Sequence, residues 1–202
     1  MNLFSKDINE NINLLPKDGT VNYFGKVLDE NECDDYFNSL MKTIQWKHDE
    51  AMLFGKHIIV KREVAWYADS PYSYTYSGTT KYALPWTKEL KELKKMIQDK
   101  TDASFNSCLL NLYHTGEEGM AWHSDDEKSL GKYTSIASLS LGAERKFSFR
   151  HKRTKNMVSL TLENGSLLIM KDVTQSNWHH RLPPTKKIDS PRINLTFRTM
   201  VI

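Results

Sequence analysis

Two segments in the first half of the chain repeat their apolar residues at intervals of three and four, which is the spacing of an amphipathic helix. The first has Asp29 or Asn31 available as its amino-terminal cap, because short polar side chains accept hydrogen bonds from the first free backbone N–H groups. The second has a proline near its start, where the missing N–H would be unpaired in any case. We expect helices over Leu28–Trp46 and from Pro85 or Thr87 to about Lys100.

From about Ser104 onwards the pattern changes to short apolar or alternating segments, separated by turn signals such as Glu163-Asn164-Gly165. Many short strands joined by turns of this kind favour a β-sandwich or a β-barrel. The sequence therefore predicts a mixed amino-terminal part followed by a β-rich remainder. The predicted strands cover residues 107–113, 133–141, 144–151, 156–162, 165–171 and 192–200.

The composition fits one compact domain. With 202 residues and 39% hydrophobic content the chain can bury a sizeable core, while two cysteines give no disulfide framework. No apolar run is long enough to span a bilayer, and the amino terminus lacks the basic start and apolar stretch of a secretion signal. We expect a monomeric intracellular protein without membrane association, cytoplasmic in a bacterium or nuclear in a eukaryote.

The charge is mildly basic. A formal net charge of +3 and a pI near 8.7 are compatible with a polyanionic partner but too small to identify one. The run Lys152-Arg153-Thr154-Lys155 is predicted to form a basic hairpin tip, and Lys61-Arg62 and Lys186-Lys187 form smaller patches. Each patch alone is equally well explained as solvated charge. Beside a site for nucleic acid they would be candidate phosphate contacts.

The pair His123-x-Asp125 is the first candidate for chemistry. Residues two apart on a strand project from the same face, so both side chains could reach one metal ion. A third ligand is available at His179 or His180, and only one of these neighbours can face the same way. Two imidazoles and one carboxylate leave metal positions open, as in non-haem Fe(II) oxygenases. The pair alone is weak evidence, since a histidine is often simply hydrogen-bonded to its neighbours.

The last predicted strand carries polar residues on one face, including Arg192, Asn194 and Arg198. A polar face of this kind could simply be solvated. However, two guanidiniums six residues apart could bind a dicarboxylate at both ends, because the planar fork of arginine pairs with carboxylates through two hydrogen bonds. A second polar pair, Asn111 and Tyr113, lies on the strand before His-x-Asp.

Together these motifs resemble those of the AlkB family of Fe(II)- and 2-oxoglutarate-dependent dioxygenases, which remove alkyl lesions from nucleic-acid bases. The motifs are Asn111-x-Tyr113, His123-x-Asp125, His180 and Arg192-x-Asn194-Leu195-Thr196-Phe197-Arg198. The resemblance extends from about Phe54 to Arg198 and is closest to the branch with the eukaryotic DNA-repair homologues. It implies an α+β, mainly β fold: a double-stranded β-helix, or jelly roll, with amino-terminal helices and a nucleotide-recognition lid. We expect one catalytic domain over 1–202, with the helices and lid in 1–104 and the β-helix core in 105–202.

The resemblance also assigns roles within the site. It makes His180 the metal ligand, because the position before it, here His179, usually carries an aromatic residue in the family. The implied Fe(II) ligands, which are also the catalytic residues, are His123, Asp125 and His180. The residues implied to hold the 2-oxoglutarate carboxylate nearest the iron are Arg198 and Asn111. Those implied to hold the distal carboxylate are Arg192, Asn194 and Tyr113.

An aromatic segment between the helices is the candidate for substrate choice. By resemblance, Tyr76 would stack on a base flipped out of the helix, with Tyr74 nearby, although clustered aromatic residues are more often part of a core. Asp126 and Glu127 would lie at the pocket mouth, where a carboxylate can accept a hydrogen bond from an exocyclic amine or meet the positive charge of an N-methylated base.

The run Leu53-Phe54-Gly55-Lys56 lies where duplex-acting relatives carry an apolar finger. Apolar side chains can enter a base step while a nearby lysine reaches phosphate, so the run fits such a wedge. An ordinary hairpin with its phenylalanine packed inward explains the run equally well. A preference for duplexes is thus a weaker prediction than base demethylation.

The implied reaction is oxidative demethylation of N-alkylated bases in DNA, with 1-methyladenine and 3-methylcytosine as expected lesions. It consumes 2-oxoglutarate and O2 and releases succinate, CO2 and formaldehyde. The same scaffold could instead act on RNA or on a protein side chain, and the sequence does not decide between the sugars. From a different class, the chain could be a non-catalytic nucleic-acid-binding module, which loss of a ligand or of a cosubstrate arginine would favour. All of the expected positions are filled.

Overall fold

The computed structural model describes residues 12–53, 56–76 and 79–201, without side chains at 51–53, 56–57, 74–76 and 79–81. Its helices are α1 (Glu30–Thr43), α2 (Lys88–Thr101), the short α3 (Thr174–Asn177) and a 3-10 turn at Lys128–Leu130. Within these ranges no helix has the length and apolar character needed to cross a membrane.

The described part of the chain otherwise consists mainly of antiparallel strands. In chain order they are β1 (Thr20–Lys26), β2 (Lys47–Leu53), β3 (Lys56–Ala68), β4 (Ser73–Tyr76), β5 (Thr79–Tyr82), β6 (Leu84–Pro85), β7 (Ser107–Tyr113), β8 (Met120–His123), β9 (Ile136–Gly142), β10 (Arg145–His151), β11 (Met157–Leu162), β12 (Ser166–Lys171), β13 (Trp178–Leu182) and β14 (Arg192–Arg198).

Among the described strands, a larger sheet has the order β1-β12-β9-β14-β7-β3-β2, with β6 beside β3. A smaller sheet has the order β11-β10-β13-β8, and β4 pairs with β5. Strands that are neighbours in a sheet are mostly distant in sequence, because the chain crosses between the two sheets as in a jelly roll. This crossing brings β8 and β13, which are more than fifty residues apart, side by side.

The two long helices cover one face of the larger sheet. A capping box between Asp29 and Glu32 starts α1, and the Thr87 side chain caps α2. The helices bury Leu40 and Leu90 against apolar residues of the sheet in one continuous core. Burial of apolar surface of this kind is the main stabilising contribution to the domain.

A second core lies between the two sheets. Its buried members from the larger sheet include Ile136 and Leu168, and those from the smaller sheet include Phe149 and Trp178. His180 lies on the same strand as Trp178 and is buried as well. The inner face of the smaller sheet therefore carries both core residues and a predicted metal ligand.

Both predicted helices and the mainly β architecture are confirmed. β7 has the predicted bounds, and the other predicted strands differ by up to three residues, as at 133 against Ile136. β1 and β13 were not among the predicted strands, because each mixes polar with apolar residues. β1, β2 and β3 precede residue 105 and yet join the larger sheet. The division of the domain into residues 1–104 and 105–202 stays a prediction.

Candidate active site

The three predicted metal ligands converge at one end of the smaller sheet. His123 and His180 face each other across the β8–β13 pair, with ring centroids 4.2 Å apart. One ligand atom from each of the two rings and from Asp125 lie within 4.8 Å of one another. Two imidazole nitrogens and a carboxylate oxygen at this separation form a donor set suited to a divalent transition metal.

Asp125 reaches this cluster from a loop rather than from a strand. β8 ends at His123, so the expectation that both residues share one strand face is wrong. The loop is held in place because the backbone N–H of Asp125 donates to Gln175 Oε1 (3.0 Å) and Ser124 Oγ donates to the carbonyl of Trp178 (3.0 Å). With this anchoring, Asp125 Oδ1 lies 3.7 Å from His123 Nε2.

The ambiguity between His179 and His180 is resolved by alternation along β13. His180 is 4% exposed and belongs to the ligand cluster, whereas the partly exposed His179 faces the other side of the sheet. Phe147 and Phe149 pack against the His180 ring, with centroids 5.6 and 6.3 Å away. These rings fix the orientation of the imidazole and exclude water from one side of it.

Electrostatics prepare the two buried ligands for a metal. Burial lowers the pKa of His180 to about 3, so its ring is neutral near pH 7 and has a lone pair to donate. Burial would raise the pKa of Asp125, but interactions with Arg198, His180 and His123 bring it below its ordinary value. A neutral imidazole and an ionised carboxylate are the protonation states that coordinate metal ions.

Arg198 is paired directly with a predicted metal ligand, an interaction that the sequence alone did not indicate. Its Nη2 donates to Asp125 Oδ2 at 2.9 Å, while Oδ1 of the same carboxylate faces His123. The salt bridge leaves one carboxylate oxygen for a metal and fixes the orientation of the other. No local signal in the sequence could have shown this contact, because its partners are 73 positions apart.

The predicted cosubstrate residues lie side by side on two neighbouring strands. In the β7–β14 pair, Tyr113 is opposite Arg192 and Asn111 is opposite Asn194. Directly opposite residues of an antiparallel pair project to the same face, so these four side chains form one polar group. Arg192 Nη2 donates to Ser140 Oγ (2.9 Å), and the Asn194 amide donates to Ser138 Oγ (2.8 Å).

Several polar atoms of this group and of Arg198 are buried without a partner among the described residues. Nε of Arg192, Nε of Arg198 and Oδ1 of Asn111 have no hydrogen-bond partner among the described residues. Arg192 is 2% exposed, and burial lowers its pKa to about 10. Buried guanidinium N–H groups with no acceptor fit a site for an anionic ligand, because such groups are costly to leave unpaired.

The predicted substrate contacts are only partly within the described residues. Asp126 and Glu127 are exposed next to the ligand loop, and Asp126 Oδ2 lies 3.4 Å from Lys152 Nζ. Phe54 and Gly55 lie outside the described residues, as do the side chains of Leu53, Lys56, Tyr74 and Tyr76. Among the described residues, β2 and β3 pair as far as Leu53 and Lys56, and the finger stays a prediction.

A cluster of cations surrounds a tryptophan on the outer face of the smaller sheet. Trp122 lies between two guanidiniums, with Cζ of Arg150 at 4.4 Å and Cζ of Arg181 at 4.5 Å from its ring centroid. The basic hairpin tip joins this surface. Burial lowers the pKa of His179, and the nearby charges of Lys152, Arg150 and Lys155 lower it further. We call this surface the basic edge, comprising Trp122, Arg150, Lys152, Arg153, Lys155, His179 and Arg181.

One arginine of the smaller basic patches is not available to a ligand. Arg62 is 7% exposed and forms a salt bridge with Asp49, so its expected role as a free phosphate contact is wrong. Sequence alone could not separate this arginine from Lys61, because its burial depends on a partner across the β2–β3 pair.

The sequence model of the 2OG-Fe(II) oxygenase superfamily matches residues 20–198. The chain belongs to this family. It is 40% identical over 183 residues to alpha-ketoglutarate-dependent dioxygenase alkB homolog 3 of Bos taurus, covering 86% of this chain and 63% of that protein. It is 37% identical over 190 residues to DNA oxidative demethylase ALKBH2 of Homo sapiens, covering 89% and 71%. The chain thus spans less than two thirds of the first of these relatives.

A solved structure supports the fold of this oxygenase family. The structure of OsALKBH1 superposes with a TM-score of 0.63 at 16% identity, covering 89% of this chain and 96% of that chain. The predicted jelly-roll fold and the resemblance to the AlkB family are both confirmed. Membership of the family implies Fe(II) as the metal, with 2-oxoglutarate and O2 as cosubstrates.

Proposed function

We propose that this chain is an Fe(II)- and 2-oxoglutarate-dependent dioxygenase that demethylates N-alkylated bases, with 1-methyladenine and 3-methylcytosine in DNA as its substrates. The observation that carries the proposal is the buried cluster of His123, Asp125 and His180, with Arg198 paired to the aspartate. Similarity to relatives named as DNA oxidative demethylases supports the choice of substrate.

His123, Asp125 and His180 would hold the iron. The neutral state of His180 and the ionised state of Asp125 fit a divalent cation without further proton release from these groups. Since the protein supplies three ligands, the remaining metal positions are left for the cosubstrates. A bound Fe(II) would supply the activation of O2 that couples oxidative decarboxylation of 2-oxoglutarate to hydroxylation of the N-methyl carbon.

The polar group on β7 and β14 would hold 2-oxoglutarate. Arg192, Tyr113 and Asn194 would bind the distal carboxylate, because Arg192 is buried and forms no salt bridge among the described residues. Arg198 and Asn111 would bind the carboxylate nearest the iron, where the unpartnered Nε and Oδ1 atoms lie. For Arg198 this role is added to its contact with Asp125.

The overall reaction balances without any further reductant. One molecule each of 2-oxoglutarate and O2 convert N–CH3 to N–CH2OH with release of succinate and CO2. The C–N bond then breaks: the hydroxyl group loses its proton as formaldehyde forms, and the electron pair of the broken bond stays on the ring nitrogen. The role of the protein residues is to hold the keto acid and the base in place and to keep the pocket dry.

The basic edge would contact the phosphate backbone. Lys152 and Arg153 extend from the hairpin that follows Arg150, close to the loop of ligand Asp125. Contacts of this kind add affinity and salt dependence without reading sequence. Tyr74 and Tyr76 stay the predicted stacking residues for the flipped base, and Asp126 and Glu127 stay predicted contacts at the mouth of the pocket.

The test is incubation with Fe(II), 2-oxoglutarate and matched DNA and RNA oligonucleotides carrying single methylated bases. On DNA with 1-methyladenine or 3-methylcytosine, we expect one formaldehyde and one succinate for each base whose mass returns to that of the unmethylated base. Asp125→Ala serves as the inactive control. Succinate without base repair on any oligonucleotide would contradict the nucleobase assignment, and repair confined to RNA would replace DNA as the substrate.

A further inference from the structure

Arg145 is a buried arginine that the roles above do not use. It begins β10, is 1% exposed, and its Nη2 donates to three backbone carbonyls: those of Gly116 (3.0 Å), Glu118 (2.8 Å) and Pro183 (3.0 Å). Its Nη1 lies 3.4 Å from the carbonyl of Thr115. One guanidinium therefore joins the loop after β7 to the segment after β13.

Among the described residues, no carboxylate forms a direct salt bridge with Arg145. The nearby Glu118 carboxylate accepts instead from the backbone N–H of His114 at 3.0 Å. Burial lowers the pKa of Arg145, although interactions with Tyr113 and Glu118 oppose that effect. Arginine stays protonated even so, and a buried cation with no carboxylate at salt-bridge distance favours an anion nearby.

Arg145 and Arg192 flank the same tyrosine. The Cζ atoms of Arg145 and Arg192 lie 6.0 and 5.6 Å from the ring centroid of Tyr113. Burial is the main cause that lowers the pKa of Arg192. The interaction with Tyr113 raises this pKa, and the charge of Arg145 lowers it again. Two like charges thus lie near the same buried ring, and an anion bound there would relieve their repulsion.

The two loops that Arg145 joins pack backbone to backbone. Thr185 N donates to the carbonyl of Gly116 (2.7 Å), and Gly116 N donates to that of Ile188 (2.7 Å). A Cβ on Gly116 would lie 2.5 Å from the Thr185 carbonyl, and one on Gly119 would lie 2.5 Å from the carbonyl of Leu182. Little room exists for these loops to shift without breaking the contacts of the guanidinium.

We propose that Arg145 is a positioning residue for the distal carboxylate of 2-oxoglutarate, acting through its positive charge beside Tyr113, while its contacts with the two adjoining loops keep that charge in place. This rests on the proposed function, which places that carboxylate at Arg192, Tyr113 and Asn194. The second guanidinium raises the positive potential of a site that already contains one. It selects keto acids with a second carboxylate over those without one.

The test compares two keto acids that differ only at the distal end. 2-Oxopentanoate has the chain length of 2-oxoglutarate but a methyl group in place of the distal carboxylate. We would titrate each into the Fe(II) protein without O2 and measure Kd by calorimetry. The variants are Arg145→Gln, Arg145→Lys and Arg192→Gln, with Lys146→Gln as a matched loss of charge on the neighbouring, exposed residue.

Arg145→Gln should weaken 2-oxoglutarate binding about ten- to a hundredfold, as for other groups that orient a binding residue, and change 2-oxopentanoate binding by less than about threefold. Arg145→Lys keeps the charge and should return the ratio of the two Kd values to within about threefold of wild type. Lys146→Gln should change neither. Equal loss of both ligands in Arg145→Gln would show a merely structural role and overturn the proposal, as would no loss of either.

Two further outcomes keep the test decisive. If Arg145→Gln does not fold by circular dichroism, Arg145→Lys decides alone, and a folded lysine variant that loses the preference for 2-oxoglutarate overturns the proposal. Arg192→Gln separates this proposal from the proposed function. If Arg192→Gln leaves the Kd for 2-oxoglutarate unchanged, the distal carboxylate does not bind at Arg192. If Arg192→Gln weakens binding and the Arg145 variants leave the Kd unchanged, the distal site is supported and the role of Arg145 is contradicted.

Discussion

The buried site and the basic edge use the same kinds of residue in opposite ways. In the buried site, Arg192 and Asp125 are almost inaccessible to water, and each charge meets a fixed set of partners. On the basic edge, Arg153 is exposed and has solvent around it. A charge acts strongly where water is excluded and weakly where salt screens it, so we expect the buried charges to act on bound ligands and the exposed ones to act on the encounter with a charged partner.

The adjacent histidines of β13 give the largest effect, because one belongs to each region. We expect His180→Ala to abolish 2-oxoglutarate turnover, since a metal ligand is lost, and His179→Ala to retain nearly all of it. Succinate production by the two variants measures the difference, with circular dichroism to show that both fold. Comparable activity in the two would break the distinction between the inner and outer faces of this strand.

Arg198 gives the next largest effect because it orients a ligand. Arg198→Gln should weaken Fe(II) binding in the absence of 2-oxoglutarate about ten- to a hundredfold, as expected for partners that orient metal ligands. Arg192→Gln is the matched control, since it removes a buried guanidinium that does not contact the ligands. Metal titration measures both variants, and an Arg198→Gln protein that binds Fe(II) like wild type would leave the salt bridge with Asp125 without a role in metal binding.

Trp122 tests whether the basic edge contributes to stability. Trp122→Leu removes the ring between Arg150 and Arg181 and should lower the free energy of unfolding by about 1 to 2 kcal/mol. In a domain of this size that corresponds to a decrease in Tm of roughly 2 to 8 °C. Trp122→Phe, which keeps an aromatic face, should recover part of the loss. An unchanged Tm in the leucine variant would mean that the arginines gain nothing from the ring.

Arg153 should give the smallest effect, and one that depends on salt. For Arg153→Gln we expect weaker binding to any DNA sequence and a slope of log affinity against log salt that is smaller by about 1, with kcat unchanged. Lys42→Gln on α1, an exposed cation on the helical side of the larger sheet, is the control. If Arg153→Gln and Lys42→Gln have the same slope of log affinity against log salt, Arg153 contacts phosphate no more than an exposed cation elsewhere on the surface does.

Local pattern was sufficient for the elements that carry a regular period. Helices α1 and α2 were predicted because their apolar residues recur at fixed intervals and short polar residues precede them. Strand β7 was predicted from its run of apolar residues. The position of Asp125 was not, since the strand ends two residues earlier and the loop is held by Gln175 from a distant helix. A loop anchored by long-range hydrogen bonds leaves no periodic signal.

By itself the sequence determined which donor types are present, and the resemblance of its motifs to a known family implied the metal chemistry. Only the tertiary structure decided that Arg198 pairs with Asp125, that Arg62 is buried and that Arg145 lies beside Tyr113. The physical reason is that residue identity is a local property, whereas burial and charge partners arise where strands distant in the chain become neighbours in a sheet. The interaction energy between two charges depends on those surroundings.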